Sequence, residues 1–139
     1  MSRLSCLIAA TVAFAATPVS AQTAANFPAK PLRLVVGFPA GGPADFFART
    51  IAQKLSEKWG QPVVVENRAG AGGNVGMEVV ATAAADGHTL LMSYVGTHAI
   101  NGSLYKKLPF DPEKDFAPVA TLATLPFVAV TKADSPIKT

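Results

Sequence analysis

Three glycine-bearing segments hold the residues whose types and spacing could do chemistry: Phe38-Pro39-Ala40-Gly41-Gly42-Pro43, the stretch from Asn67 to Asn74 with its glycines at 70, 72 and 73, and Tyr94-Val95-Gly96-Thr97. Each lies between an apolar run of strand length and a stretch of helical pattern, so each opens a helix. The first turn of a helix has backbone N–H groups without intrahelical partners and a partial positive charge. Gly41, Gly42, Gly72, Gly73 and Gly96 carry no side chains, which lets a ligand oxygen approach that backbone closely. Such a site favours a small anion. Hydrogen bonds to a charged group contribute about 1.5 to 3 kcal/mol each, so three or four supply the ~8 kcal/mol of micromolar affinity, before ordering and desolvation costs. No lysine is required.

Catalytic readings fail on spacing. Gly37 and Gly42 stand five apart as in a phosphate-binding P-loop, but Pro43-Ala44 occupies the places where that loop needs Lys and Ser or Thr. Gly70-Ala71-Gly72-Gly73-Asn74-Val75-Gly76 approaches a dinucleotide fingerprint, yet its third glycine falls one residue late and it follows the second strand rather than the first. His88 and His98 are ten apart without a third ligand nearby, which argues against zinc. Ser93 lacks the flanking glycines of a nucleophile elbow. No motif calls for a cofactor, and the sequence reads as a binding module rather than an enzyme.

The same residues have ordinary structural explanations. Glycines after strands serve tight turns. Asp45 in a first helical turn stabilises the helix dipole whether or not it faces a ligand, and Asn74 can serve as an N-cap. Phe38 fits a core position as well as a ligand platform, and His98, just inside a helix at the crevice, is equally explained as an exposed or capped histidine. Glu66 and Arg68 read as a solvated pair worth ~0 to 1 kcal/mol.

The elements that must position these loops alternate between strand-length apolar runs and amphipathic stretches, which predicts βαβ units and a parallel sheet in an α/β fold. Leu32 to Gly37 is nearly unbroken in apolar character and is expected to be the central strand. Phe47, Ile51 and Leu55 recur every four residues in a helix over 44–59, with Pro43 at its first position and Gly60 as its stop. Val63-Val64-Val65 is the second strand, followed by a loop from Glu66. A helix from Asn74 with Val75, Val79, Val80 and Ala83 on one side ends at Asp86-Gly87, and Thr89 to Ser93 is the third strand. Thr97 is expected to N-cap a short helix running to about Leu104, and Val119 to Leu125 and Phe127 to Val130 have strand character. In a sheet of order 2-1-3 with right-handed crossovers, the carboxyl ends of strands one and three diverge into a ligand-binding crevice, and all three glycine loops approach it.

The chain has 139 residues, and its first 21 read as a cleavable secretory signal. Ser2-Arg3 gives the positive start, Leu4 to Ala16 the apolar run, and Val19-Ser20-Ala21 the small-residue cleavage site. That run is shorter than the roughly 18 to 20 residues of a spanning helix, so no membrane insertion is expected. The remaining 118 residues suffice for one compact domain and carry 11 basic against 9 acidic side chains, without Arg3. A net charge near +2, with Lys106-Lys107 as the one adjacent basic pair, gives no nucleic-acid footprint. Cys6, the single cysteine, lies within the signal, so the exported product has neither thiol nor disulfide.

Taken in order, Phe27-Pro28-Ala29-Lys30-Pro31-Leu32-Arg33-Leu34-Val35-Val36, Phe38 to Asp45, Gln61-Pro62-Val63-Val64-Val65-Glu66-Asn67-Arg68, Gly70 to Asn74, and Asp86-Gly87-His88-Thr89-Leu90-Leu91 closely resemble the Bug family. These are the extracytoplasmic solute receptors of tripartite tricarboxylate transporters. The resemblance implies a periplasmic binding protein of type II fold with two α/β lobes, closing on a small carboxylate and handing it to membrane permease subunits. It places the ligand carboxylate at backbone groups and bridging waters of the loops matching Phe38, Ala40, Gly41, Gly42 and Asp45, and Gly72, Gly73 and Asn74. Thr97 and His98 stand nearby. Gly37 departs from the pattern, where relatives favour a bulkier residue or proline at the floor of the first loop.

Family members continue into a second lobe and then return to complete the first. The expected organisation is therefore a signal over 1–21, a first lobe over 22–131 and the start of a crossover over 132–139, in a truncated receptor whose second lobe is missing. A secreted α/β enzyme domain holding a phosphate or acyl group at the glycine loops is the alternative. An incomplete gene product without independent activity is a third.

Overall fold

The computed structural model describes residues 27–124, 126, 130–134 and 136. The expected signal over 1–21 and the apolar positions 125 and 127–129 lie outside the described residues. Strand β1 (Leu32–Val36) is central in a parallel three-stranded sheet, flanked by β2 (Val63–Asn67) and β3 (Thr89–Met92), in the order β2-β1-β3. Leu34 pairs with Val65 on one side and Leu90 on the other, and Val36 with Asn67 and Met92. Leu32, Val35 and Val36 are fully buried, as a strand covered on both faces requires.

Helix α1 (Pro43–Trp59) packs on β1 and β2. Its Ala48 and Ala52 close a core with Leu34, Val36 and Met92, and Phe47 and Ile51 pack against it. The helix stops at Gly60, whose left-handed backbone (φ 65°) no β-carbon hinders and whose N–H reaches the Ser56 carbonyl at 3.0 Å. Helix α2 (Asn74–Ala81) packs on β1 and β3. Right-handed crossovers put it on the face opposite α1, where Val35 and Met77 are buried.

Four expectations change. β2 runs two residues further, through Glu66 and Asn67, because the Arg68 N–H continues the ladder to the Val36 carbonyl at 2.8 Å. α2 ends at Ala81 rather than near Asp86, and buries Asn74, Gly76 and Met77 while Val75 is exposed. The face is chosen by backbone contact: a β-carbon on Gly76 would lie 2.7 Å from Gly37 Cα. Thr97 is not an N-cap but sits inside a π-helical turn (Gly96–Ile100) that leads into the short helix α3 (Asn101–Leu104). Residues 119–124 form no strand, and Val119 and Leu122 are exposed. No helix among the described residues is long and apolar enough to cross a membrane.

Candidate functional site

The three glycine loops leave the carboxyl ends of β1, β2 and β3 and touch one another. Asn67, the last residue of β2, donates from Nδ2 to the Phe38 carbonyl at 3.0 Å, tying the second strand's end to the first loop. The Phe38 ring meets Tyr94 edge-on with centroids 5.8 Å apart, tying the first loop to the third. The second and third loops join where the Thr97 hydroxyl donates to the Gly72 carbonyl at 3.0 Å. Thr97 lies so close to Gly73 that a β-carbon there would come within 2.6 Å of its Oγ1. A β-carbon on Gly37 would meet the Gly73 carbonyl oxygen at 2.9 Å, so the floor of the first loop needs glycine. The crevice walls are thus one packed unit.

Within the first loop, Asp45 is 4% exposed and faces inward. Its Oδ2 accepts from Arg49 Nε and from the Gly41 N–H, both at 2.9 Å, and its Oδ1 accepts from Asn67 Nδ2 at 2.9 Å. Arg49 also donates to Asn67 Oδ1 at 3.1 Å, closing a ring of three residues, Asp45, Arg49 and Asn67, from which the Gly41 bond branches. The Arg49 guanidinium, then the Gly41 amide and Asn67, hold the Asp45 carboxyl well below the usual carboxylate range. This fixes the left-handed turn at Gly41 (φ 86°). Phe38 is half-buried against the core, Ala40 is exposed, and both flank this ring.

The free-amide expectation needs correction at three positions. The Gly41 N–H is taken by Asp45, the Gly73 N–H by the Gly70 carbonyl at 2.9 Å, and the Asn74 N–H by the Ala71 carbonyl. A 3-10 turn (Ala71–Gly73) ahead of α2 consumes the last two donors. At the start of α1, by contrast, no acceptor among the described residues bonds the amides of Gly42, Ala44 and Asp45. Pro43, between them, has no N–H to satisfy. The first turn of α1 therefore keeps the anion-attracting character expected of it.

Three polar side chains escaped the sequence reading. Asn101, 7% exposed, donates from Nδ2 to the Gly72 carbonyl at 3.1 Å and to Asn74 Oδ1 at 2.8 Å. Arg49 and Asn67 hold Asp45 as described. The i,i+4 spacing of Asp45 and Arg49 was readable as a helix pair. The contacts of Asn67 and Asn101 span 18 to 29 residues and leave no local trace.

His98 turns elsewhere. Its ring meets Phe116 at 5.5 Å, its Nδ1 is sealed without a partner among the described residues, and it lines a cavity of about 700 Å³ with Tyr105, Lys106 and Phe110. That lining includes none of the glycine-loop residues. His88 stands at the opposite, amino end of β3 beside Asp86. Glu66 is shared by Arg33 and Arg68, which hold its carboxyl below the usual range, Arg33 more strongly.

Residues 47–139 match the model of the tripartite tricarboxylate transporter family receptor. Protein BugT of Bordetella pertussis is 44% identical over 134 residues, covering 94% of this chain and 40% of its own. The structure of MatC from Rhodopseudomonas palustris with bound malate superposes with a TM-score of 0.64 at 45% identity, over 67% of this chain and 32% of that one. The periplasmic binding protein BugD superposes with a TM-score of 0.63 at 41% identity, over 66% and 30%. The chain spans about two fifths of the length of the curated relatives it matches. With the sheet order, the loop sequences and these matches in agreement, the chain belongs to the tripartite tricarboxylate transporter receptors, a family of periplasmic solute-binding proteins rather than enzymes.

Proposed function

We propose that this chain forms one wall of a receptor that captures a small carboxylate in the periplasm for membrane permease subunits, and that it performs no catalytic step. The observation that carries the reading is the unpaired first turn of α1 at Gly42, Ala44 and Asp45, held in place by the bonds of Asp45 to Gly41, Arg49 and Asn67. Unpaired amides at a helix start attract an anion without a charged side chain. Phe38 and Ala40 shape the approach to them. Gly72, Gly73 and Thr97 support Asn74 from behind, and His98 is left at the margin. The malate held by MatC is the class of ligand this arrangement suits.

Export through a signal over residues 1–21 belongs to the same reading, as does a first lobe ending near residue 131. A single lobe offers one wall, whereas small-molecule sites bury about 70 to 90% of the ligand. Affinity of the first lobe taken by itself for a carboxylate is therefore weak, with a dissociation constant above about 1 mM. Titration of the isotopically labelled chain with malate, followed through its amide resonances, tests the proposal. Saturable shifts centred on Gly42, Ala44 and Asp45 support it. Shifts centred on the cavity beside His98, or none at tens of millimolar malate, would overturn it.

A further inference from the structure

The orientation of the Asn74 side chain follows from its neighbours by elimination. The Gly72 carbonyl can only accept, so the Asn101 atom 3.1 Å from it is the donor Nδ2. The same Nδ2 lies 2.8 Å from the Asn74 side chain, so the Asn74 atom there must accept and is Oδ1. Both hydrogens of Asn101 Nδ2 are then used. Asn74, itself 7% exposed, is left with Nδ2 as its remaining side-chain donor group. No acceptor among the described residues bonds that nitrogen, and the side-chain polar atoms sealed from solvent without a partner are His88 Nε2 and His98 Nδ1. The Asn74 Nδ2 is thus a donor without an acceptor among the described residues, and it is not one of the sealed atoms.

We propose that Asn101 is a positioning residue that sets the polarity of this wall: by engaging Asn74 Oδ1 it obliges Asn74 to present hydrogens to a bound carboxylate. The inference rests on the receptor reading above for its ligand, but not for its geometry. An Asn74 turned over would present a carbonyl oxygen and repel the same anion. Thr97 assists by sharing the Gly72 carbonyl, which fixes the acceptor from which the whole orientation is read.

Side-chain hydrogen exchange on the full chain decides the geometry without any ligand. The Asn101 amide hydrogens exchange on the order of tenfold more slowly than those of Asn74. In Asn101→Asp, which keeps the shape but can no longer donate, Asn74 rotates to donate to the new carboxylate and its own hydrogens become the slow ones. In Asn101→Leu, neither orientation is favoured and Asn74 exchanges quickly. Malate then reads the consequence: it shifts the Asn74 side-chain resonance in the wild type, less in Asn101→Leu, and not in Asn101→Asp. Slow exchange at Asn74 with fast exchange at Asn101 in the wild type overturns the proposal, as does an undiminished malate shift in Asn101→Asp. If the exchange pattern holds and malate moves no resonance in the wild type, the orientation stands and the receptor reading fails.

Discussion

Gly76 of α2 lies against Gly37 at the end of β1 so closely that a β-carbon on Gly76 would sit 2.7 Å from Gly37 Cα. The contact is backbone on backbone, and neither partner can move without displacing the helix or the central strand. Because the second loop leads into α2 and the third is tied to it where the Thr97 hydroxyl meets the Gly72 carbonyl, this contact also helps to set where both loops stand.

Gly76→Ala should therefore cost about 1 to 3 kcal/mol, the range for overpacking a close contact. Gly37→Ala should cost a similar amount, since its β-carbon meets the Gly73 carbonyl oxygen at 2.9 Å. Gly102→Ala is the control: its β-carbon meets Pro112 Cγ at an ordinary 3.7 Å, and it lies in α3, where alanine is favoured. Urea unfolding of the three variants checks this, and a Gly76→Ala midpoint equal to that of the wild type would show the contact to be slack.

Among the lowered carboxyls, two should contribute most to acid stability. Asp45 is held well below its ordinary value by Arg49 first, and Asp86 is lowered from 3.8 to about 2, first by Lys30 and then by the His88 amide. Both have lower values folded than unfolded, so on acidification the unfolded chain takes up protons first. Their stabilisation is complete above about pH 4 and is lost as the pH falls through about 2 for Asp86 and lower still for Asp45. Urea midpoints measured from about pH 6 to pH 2 should fall steeply below pH 4. Asp86→Asn should flatten part of that fall, and an unchanged slope would remove Asp86 from the account.

The Arg49 side chain should act on the loop through Asp45. Arg49→Met leaves a buried carboxylate without its cation and Asn67 without a donor to its Oδ1, while the methylene stem still covers α1. The Gly41 amide, now bonded to a carboxylate that Asn67 alone still holds, should exchange on the order of tenfold faster. Arg49→Lys should recover little, because one ammonium cannot span Asp45 Oδ2 and Asn67 Oδ1 in the fixed geometry of a guanidinium. Unchanged protection at Gly41 in Arg49→Met would mean that the loop holds itself.

Much of this architecture was legible in the residues. The order β2-β1-β3 followed from one nearly continuous apolar run flanked by two shorter ones, and α1 from its four-residue spacing between Pro43 and Gly60. The face of α2 was not legible, because the contact that selects it is made by glycines, which carry no hydrophobic signature. The residues expected to offer free amides were only partly right: a 3-10 turn and the Asp45 carboxylate absorb three of them, and whether a turn precedes a helix is decided by positive φ at Gly72 and Gly73 rather than by composition. A threonine hydroxyl can accept from a first-turn amide, which is what makes Thr97 look like a cap, whereas here it donates to the neighbouring loop 25 residues away. Long-range polar contacts of this kind are invisible to local spacing.

Self-association should follow from what the sheet leaves uncovered. β3 pairs only with β1, so among the described residues its other edge offers unpaired N–H and C=O groups. Beyond α3 the chain carries Val119 at 84% and Leu122 at 52% exposure, in a run whose composition suits a strand but whose residues 119–124 pair with no strand among the described residues. An apolar strand-forming segment and an open parallel edge on the same molecule can satisfy each other between two copies. Sedimentation velocity should therefore show mass rising with protein concentration. Replacing Val119 and Leu122 together with Lys should suppress it, because a charge on an edge-pairing segment opposes its addition to a sheet. If the double variant associates as strongly as the parent, the contact lies elsewhere, and the exposed Phe46 on α1 becomes the next surface to substitute.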